Sequence, residues 1–167
     1  MCSSDLSTPW TVTVDSTPPV ISLTTPATDS WQASSDVTFT YAGSDTNLQS
    51  CTVFGDFTGS YAANETNNTP SGGAIAGWHS IGMANGNNSY TWNVECTDFA
   101  GNVQSNETNS TFIVDSIIPS ITLVSPANGS SPTGTTINLT WNTVDLSPNS
   151  SCNTTLDDVI NVTNTTA

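Results

Sequence analysis

The chain contains 167 residues, of which 14 are Asp or Glu, one is His and none is Lys or Arg. Because nothing in it can neutralise phosphates, nucleic-acid binding through a basic patch is excluded, and so is a polybasic membrane anchor. Ser, Thr and Asn account for 71 residues, which predicts a surface of hydroxyl and amide groups. No stretch approaches the roughly 18 apolar residues of a membrane span.

The opening of the chain does not look like a natural start. Residues 1–6 read Met-Cys-Ser-Ser-Asp-Leu and resemble a translated adapter remnant. Residues 1–10 also lack the basic and apolar regions of a signal peptide. We therefore expect a fragment of a longer protein, with its own start and targeting signal missing.

Short runs of alternating apolar and polar residues follow, separated by turn residues, and Val37, Phe39 and Tyr41 are typical of them. This period of two, with no helical period, predicts an all-β fold of half-buried strands. Several such strands in about 100 residues favour a two-sheet β-sandwich over an up-and-down barrel. We predict strands near residues 20–24, 36–41, 50–54, 78–82, 89–97 and 110–114.

The chain repeats itself at an offset of 100 residues, which a barrel would not explain. Residues 14–23 read VDSTPPVISL and residues 114–123 read VDSIIPSITL. The repeat predicts tandem modules: an adapter-like start plus the last strand of a preceding module (residues 1–15), one complete module (16–115), and the truncated first half of a following module (116–167). The prolines at each junction favour extended, semi-rigid connections over loose linkers.

Of the four cysteines, Cys51 and Cys96 lie on the apolar faces of strands within the one complete module. Facing each other on neighbouring antiparallel strands, they would be close enough for a disulfide. The alternative is a pair of buried free thiols. Cys152 matches Cys51 one residue out of step, and Cys2 lies in the adapter-like start, so neither has a native partner here.

Acceptor sequences for N-glycosylation, Asn-X-Ser/Thr, are almost twice as frequent as the roughly six that composition alone would give. The alternative is that they are simply turn residues. If the host glycosylates extracellular proteins, we predict that at least some carry glycans. The acceptors are Asn64, Asn67, Asn87, Asn106, Asn109, Asn128, Asn138, Asn149, Asn153, Asn161 and Asn164.

No pattern points to catalysis, so no enzymatic activity and no cofactor are predicted. His79 has no neighbouring element that would orient it as a base. Calcium is a minority alternative, because Asp15 and Asp115 occupy equivalent junction positions and Asp98 precedes a turn. The favoured interpretation is that these Asp residues hydrogen-bond to nearby backbone in turns.

Two segments carry a family likeness: the junction VDSTPP at residues 14–19 and YTWNVECTDFAGN at residues 90–102. They resemble tandem immunoglobulin-like modules of bacterial and archaeal cell-surface proteins, and the likeness covers nearly all of the chain after residue 7. No Trp follows Cys51 on its strand and Val94 stands where animal immunoglobulin domains have Tyr. We therefore expect the disulfide to join neighbouring strands rather than two sheets.

The resemblance implies a non-catalytic stalk segment of an extracellular adhesin or surface-layer-like protein, whose partners are the neighbouring modules of the same chain. The alternative is a module that binds cell-surface glycans or proteins, such as one accessory to a secreted enzyme. That alternative needs exposed aromatic side chains, for which Trp31, Trp78 and Phe57 are candidates. Packing in the core or at an edge is the favoured interpretation of these three.

Overall fold

The structure is a computed structural model that describes residues 11–70, 78–80, 83–84, 88–147, 151–156 and 159–165, with residues 78–80, 88, 156 and 159–165 described by their backbone alone. The residues so described form strands and connecting segments and contain no helix. The strands are β1 (Val20–Thr25), β2 (Ser30–Gln32), β3 (Val37–Ser44), β4 (Leu48–Gly55), β5 (Ala62–Asn67), β6 (Trp78–Ser80), β7 (Asn88–Asp98), β8 (Val103–Ser105), β9 (Ser110–Val114), β10 (Ser120–Ser125), β11 (Thr140–Val144), β12 (Ser151–Leu156) and β13 (Val159–Thr165).

Residues 16–115, which we call the first unit, contain two sheets in the part that the structure describes. One has the order β1-β3-β6, and the other has the order β2-β9-β7-β4-β5 with β8 paired to β7. All pairings are antiparallel except that of β2 with β9. The all-β prediction is confirmed. Within the described residues, no helix could cross a membrane.

The two sheets share one core because their strands present apolar residues at alternate positions. The ring of Phe39 on β3 lies 5.0 Å from that of Trp92 on β7 and 5.7 Å from that of Phe112 on β9. All three side chains are fully buried. Such a shared core is typical of a β-sandwich, the architecture that the alternation favours.

The disulfide lies in this core. Cys51 on β4 is directly opposite Cys96 on β7, with their Cα atoms 4.0 Å apart, and the two are joined by a disulfide. The pairing on neighbouring strands is the one that the sequence predicts, and the alternative of two free thiols does not hold. Cys152 is unpaired within the described part of the chain, whereas Cys2 lies outside it.

Each of the six predicted strands corresponds to an observed one, although residues 81–82 lie outside the described part. Among the described strands of the first unit, three are missing from the prediction: β2, β5 and β8. They are short or polar, and β5 reads AANETN with mostly exposed side chains. Strands without an apolar face leave no alternating signal in the sequence.

The second unit, from residue 116 onward, reproduces the beginning of the first. Leu23 pairs with Tyr41 and Leu123 with Trp141, and a bulge follows each of these leucines. The peptide bonds before Pro26 and Pro126 are both cis. Strands β10 and β11 pair with each other, as do β12 and β13. The repeat at an offset of 100 residues therefore extends from the sequence to the strand register.

The chain enters and leaves the first unit at opposite ends of β7. The turn that follows Asp98, the last residue of β7, contacts the entry segment at Asp15 and Thr17. At the exit, Val114 on β9 is opposite Asn88, the first residue of β7. The ten steps from the first to the last residue of β7 span about 33 Å at about 3.3 Å per residue, so the entry and exit are about that far apart along the strand.

Candidate functional site

Three carboxylates converge where the chain enters the first unit. Asp15 lies in the entry segment, Asp45 lies between β3 and β4, and Asp98 ends β7; one oxygen from each lies within 4.8 Å of the others. With Asn47 and Asn102, we call this group the junction cluster. The topology brings it together, because the loop after β3 and the turn after β7 lie at the same end of the unit.

Asn102 connects the junction cluster to the entry segment. Its Nδ2 group lies 2.8 Å from the Asp98 Oδ2 atom and donates to it, and its contacts with the backbone oxygens of Asp15 and Thr17 measure 3.3 Å and 3.4 Å. Asn47 Nδ2 donates to Asp15 Oδ2 at 3.3 Å. Two asparagines thus attach the entry segment to the body of the unit.

Asp98 is the buried member of the cluster. Desolvation raises the pKa of its carboxyl, but hydrogen bonds from the Asn102 side chain and from the backbone of Asn102, Ala100 and Gly101 lower it, and the net pKa lies below the ordinary value. The backbone amide of Asn102 donates to Asp98 Oδ1 at 2.8 Å. The carboxylate is therefore held in its charged form by the turn that it organises.

The candidate calcium ligands in the sequence are Asp15, Asp98 and Asp115. The structure brings Asp15 and Asp98 together with Asp45, while Asp115 lies at the exit. Carboxylate oxygens are ligands that a hard cation accepts. The favoured interpretation is that these Asp side chains hydrogen-bond to nearby backbone in turns, and such bonds are present at both junctions. The backbone amide of Thr17 donates to Asp15 at 3.0 Å, and that of Ile117 donates to Asp115 at 3.1 Å.

Acid is expected to weaken the attachment at the entry. Because the folded-state pKa of Asp98 is lowered, its contribution to stability is present above the unfolded pKa near 3.8 and is lost as pH falls through the folded-state value. Chemical denaturation at a series of pH values should show the free energy of unfolding falling below about pH 4. Asp98→Asn should flatten that fall, and identical acid profiles for the two proteins would contradict the assignment.

Several acceptor asparagines are accessible in the structure. Asn128, Asn138 and Asn153 have exposed side chains. Asn64 is also at the surface, but its Nδ2 donates to the backbone oxygen of Ala62 at 2.8 Å. Asn67 and Asn106 are half-buried, and Asn109 accepts a hydrogen bond from Asn93. The structure of Asn87, Asn149 and the side chains of Asn161 and Asn164 lies outside the described part.

Of the three aromatic candidates for a binding platform, the structure describes the side chains of Phe57 and Trp31. Phe57 is in the core, with its ring 4.9 Å from that of Phe39. Trp31 is half-buried on β2. The side chains of Trp78 and His79 lie outside the described part, although the backbone of both lies in β6. The core interpretation of Phe57 is therefore the one that the structure supports.

A different aromatic pair lies at the surface. Phe54 on β4 is half-buried and Tyr61 is 48% exposed; their rings are stacked at 6.3 Å with an angle of 20° between the planes. Burial raises the pKa of Tyr61, and so do the charges of Asp56 and Glu95. Sequence alternation did not single out this pair, because Tyr61 stands just before β5 in a connecting segment.

Known proteins similar to this chain are few among the sequences and structures compared. No family model and no curated protein matches the sequence. A crystal structure of an engineered protein aligns with 57% of the chain, at 24% sequence identity and a TM-score of 0.40. The chain covers 20% of the length of that protein.

Proposed function

We propose that the chain is a non-catalytic stalk segment of an extracellular cell-surface protein, built from tandem immunoglobulin-like β-sandwich modules. The observation that carries this proposal is the position of entry and exit at opposite ends of β7 in the first unit. A module threaded in this way adds its own length to a chain of modules. Tension applied at the two junctions would pass along the unit rather than across one end.

The entry segment is held against the body of the first unit. A stalk requires such an attachment because a loose junction would let neighbouring modules swing freely. Pro19 is fully buried, and prolines at 18 and 19 restrict the backbone before β1 begins. Asn102 contacts the entry segment from the body of the unit. Since Asp115 repeats the turn of Asp15, we propose that successive junctions are built in the same way.

The proposed compartment is extracellular. A buried disulfide persists in an oxidising environment and is rare in the cytosol. We further propose that exposed acceptors such as Asn128 and Asn138 carry glycans there. The intact mass of protein from its native host should then exceed that of the bare polypeptide, and a mass equal to the bare polypeptide would refute the glycan proposal.

Single-molecule force spectroscopy tests the stalk proposal directly. With both junctions as pulling points, the oxidised first unit should resist and then unfold in a distinct force peak. While the disulfide is intact, the chain between its two cysteines cannot extend, and their sequence separation is 45 residues. Reduction should therefore add about 160 Å to the released contour length, at about 3.6 Å per residue.

The matched control for that experiment is the double substitution Cys51→Ser with Cys96→Ser. It should release the longer contour length with or without reductant. Gradual extension of the oxidised protein without a force peak would contradict a stalk function. A separate outcome, a peak without the length increment, would contradict the disulfide but leave the stalk proposal intact.

A second candidate function is glycan binding by the surface pair Phe54 and Tyr61. Sugar rings stack on aromatic faces, and the nearby carboxylates of Asp56 and Glu95 are acceptors for sugar hydroxyl groups.

Native gels containing soluble β-glucan or xylan should retard the protein, and Tyr61→Ala should abolish the retardation. Phe99→Ala is the control because Phe99 is 73% exposed; equal mobility in all gels would refute this candidate.

A further inference from the structure

Asn109 belongs to a hexapeptide that occurs twice in the first unit. Residues 64–69 read NETNNT and residues 106–111 read NETNST, and the two copies are not related by the offset of 100 residues. Each copy contains two overlapping acceptor sequences for N-glycosylation. A composition rich in Asn and Thr explains isolated acceptors, but the recurrence of the whole pattern favours an acceptor function at these positions.

The hydroxyl group that defines the acceptor at Asn109 is bonded within the fold. An acceptor sequence needs Ser or Thr two residues after the Asn, and here that residue is Thr111. Thr111 Oγ1 donates to Asp29 Oδ1 at 2.8 Å, and the backbone amide of Asp29 donates to the Thr111 carbonyl oxygen at 2.7 Å. On its other side, Thr111 is paired with Thr91 on β7. A transferase therefore cannot reach this hydroxyl without opening the sheet.

Asp29 adopts a backbone conformation that suits this contact. Its φ angle is 60°, in the left-handed region that residues other than Gly seldom adopt. The turn is closed by the Ser30 amide, which donates to the Ala27 carbonyl oxygen at 3.1 Å. In the second unit, Gly129 occupies the equivalent position with a φ angle of 75°. The first unit thus has a carboxylate where the second has no side chain, and this carboxylate accepts the hydrogen bond from Thr111.

The Asn109 side chain is also held. Asn93 on β7 is 7% exposed, and its Nδ2 donates to Asn109 Oδ1 at 2.6 Å and to the Asn106 carbonyl oxygen at 3.0 Å. The backbone amide of Asn106 donates to the Val94 carbonyl oxygen at 3.1 Å. The connection from β8 to β9 is therefore attached to β7 at several points. Exposing the acceptor to an enzyme requires these bonds to open together, which makes access depend on unfolding.

The folded unit nevertheless has room beside Asn109. A groove of about 360 Å³ lies between the connection from β8 to β9, the end of β1 and the turn that follows β1. Ser22, Thr24 and Thr28 line it with hydroxyl groups, and Asn109, whose side chain is exposed, lines it too. Such hydroxyl groups both donate to and accept from the hydroxyl groups of a sugar. A sugar already attached to Asn109 can therefore lie in this groove without disturbing the core.

We propose that folding closes Asn109 to glycosylation, so that a sugar joins Asn109 only before the first unit folds and then occupies the groove. This rests on the glycan part of the proposed function. In the transfer step, Asn109 Nδ2 attacks C1 of a sugar carried on a lipid diphosphate. The N–C bond forms as the C1–O bond breaks, the diphosphate leaves with the electron pair, and a base of the transferase takes the Nδ2 proton.

The test uses the full chain, a purified oligosaccharyltransferase and its lipid-diphosphate oligosaccharide. Phe39→Asp places a charge in the core and should unfold the first unit, whereas Phe39→Leu is the matched folded control. Chymotryptic glycopeptides give the occupancy of Asn109 relative to Asn138, whose side chain is exposed in the folded chain. This ratio should be at least about 10-fold lower in the parent chain and in Phe39→Leu than in Phe39→Asp. Equal ratios in the three proteins would overturn the proposal.

Two further measurements separate the effect of the fold from that of the local sequence. Peptides of residues 103–113 and 135–143 should be modified at Asn109 and Asn138 at similar rates, and slow modification of the first peptide would overturn the proposal. In molecules from a glycosylating host, a sugar on Asn109 should occur together with the disulfide. A sugar confined to molecules with free Cys51 and Cys96 would contradict the occupation of the groove. An intact mass equal to that of the bare polypeptide would refute the glycan proposal, whereas the ratios measured with the purified enzyme decide the closure of Asn109.

Discussion

Replacing Cys51 and Cys96 together by alanine is expected to lower the free energy of unfolding of the first unit by about 4 kcal/mol. The bridge closes a 45-residue separation and so restricts the unfolded chain. Its native environment is also tightly packed: a Cβ added at Gly43 would lie 3.2 Å from the Cys96 sulfur and 3.3 Å from that of Cys51. Urea denaturation followed by tryptophan fluorescence measures the change.

Cys152→Ala supplies the matched control, because that thiol is unpaired and half-buried in the second unit. It should leave the transition of the first unit within about 0.5 kcal/mol of its original position. Reductant should destabilise the parent protein and have no effect on the double variant. A loss below about 1 kcal/mol in the double variant would show that the disulfide adds little beyond the packing of the core.

The predictable part of the fold is the part with a buried face. Residues such as Phe39 and Trp92 alternate with polar neighbours because one side of each strand packs in the core, and that period is legible in the sequence. The cysteine pair was predictable for the same reason. By contrast, β5 and β8 add polar strands to the sheet through backbone hydrogen bonds, which any sequence can make.

The junction cluster was only partly predictable. Asp15 and Asp98 stood out by repeat position and by the turn after Asp98, but their proximity depends on where the β7 turn folds back on the entry segment. Asp45 has the sequence context of an ordinary turn residue, and the backbone amide of Asn47 donates to Asp45 Oδ1 at 2.8 Å, which supports that role. Its membership in the cluster is a long-range property of the topology, which local sequence does not encode.

Truncating Phe39 to alanine is the second large effect that we expect, a loss of about 3–5 kcal/mol in the free energy of unfolding. The Phe39 ring reaches across from its own sheet to aromatic side chains on the other side of the core, lying 5.0 Å from the ring of Trp92 on β7 and 4.9 Å from that of Phe57 just after β4. Its removal would leave a cavity where the sheets meet. Thermal and urea unfolding of the oxidised protein would measure the loss, and Phe39→Leu should cost less because it retains part of the volume.

The repeat offers an internal control at the same structural position. Leu139 corresponds to Phe39 at the offset of 100 residues but is only half-buried. Leu139→Ala should therefore change the free energy of unfolding by less than about 1 kcal/mol. A similar cost for the two alanine variants would contradict the assignment of Phe39 as the more completely enclosed of the two side chains.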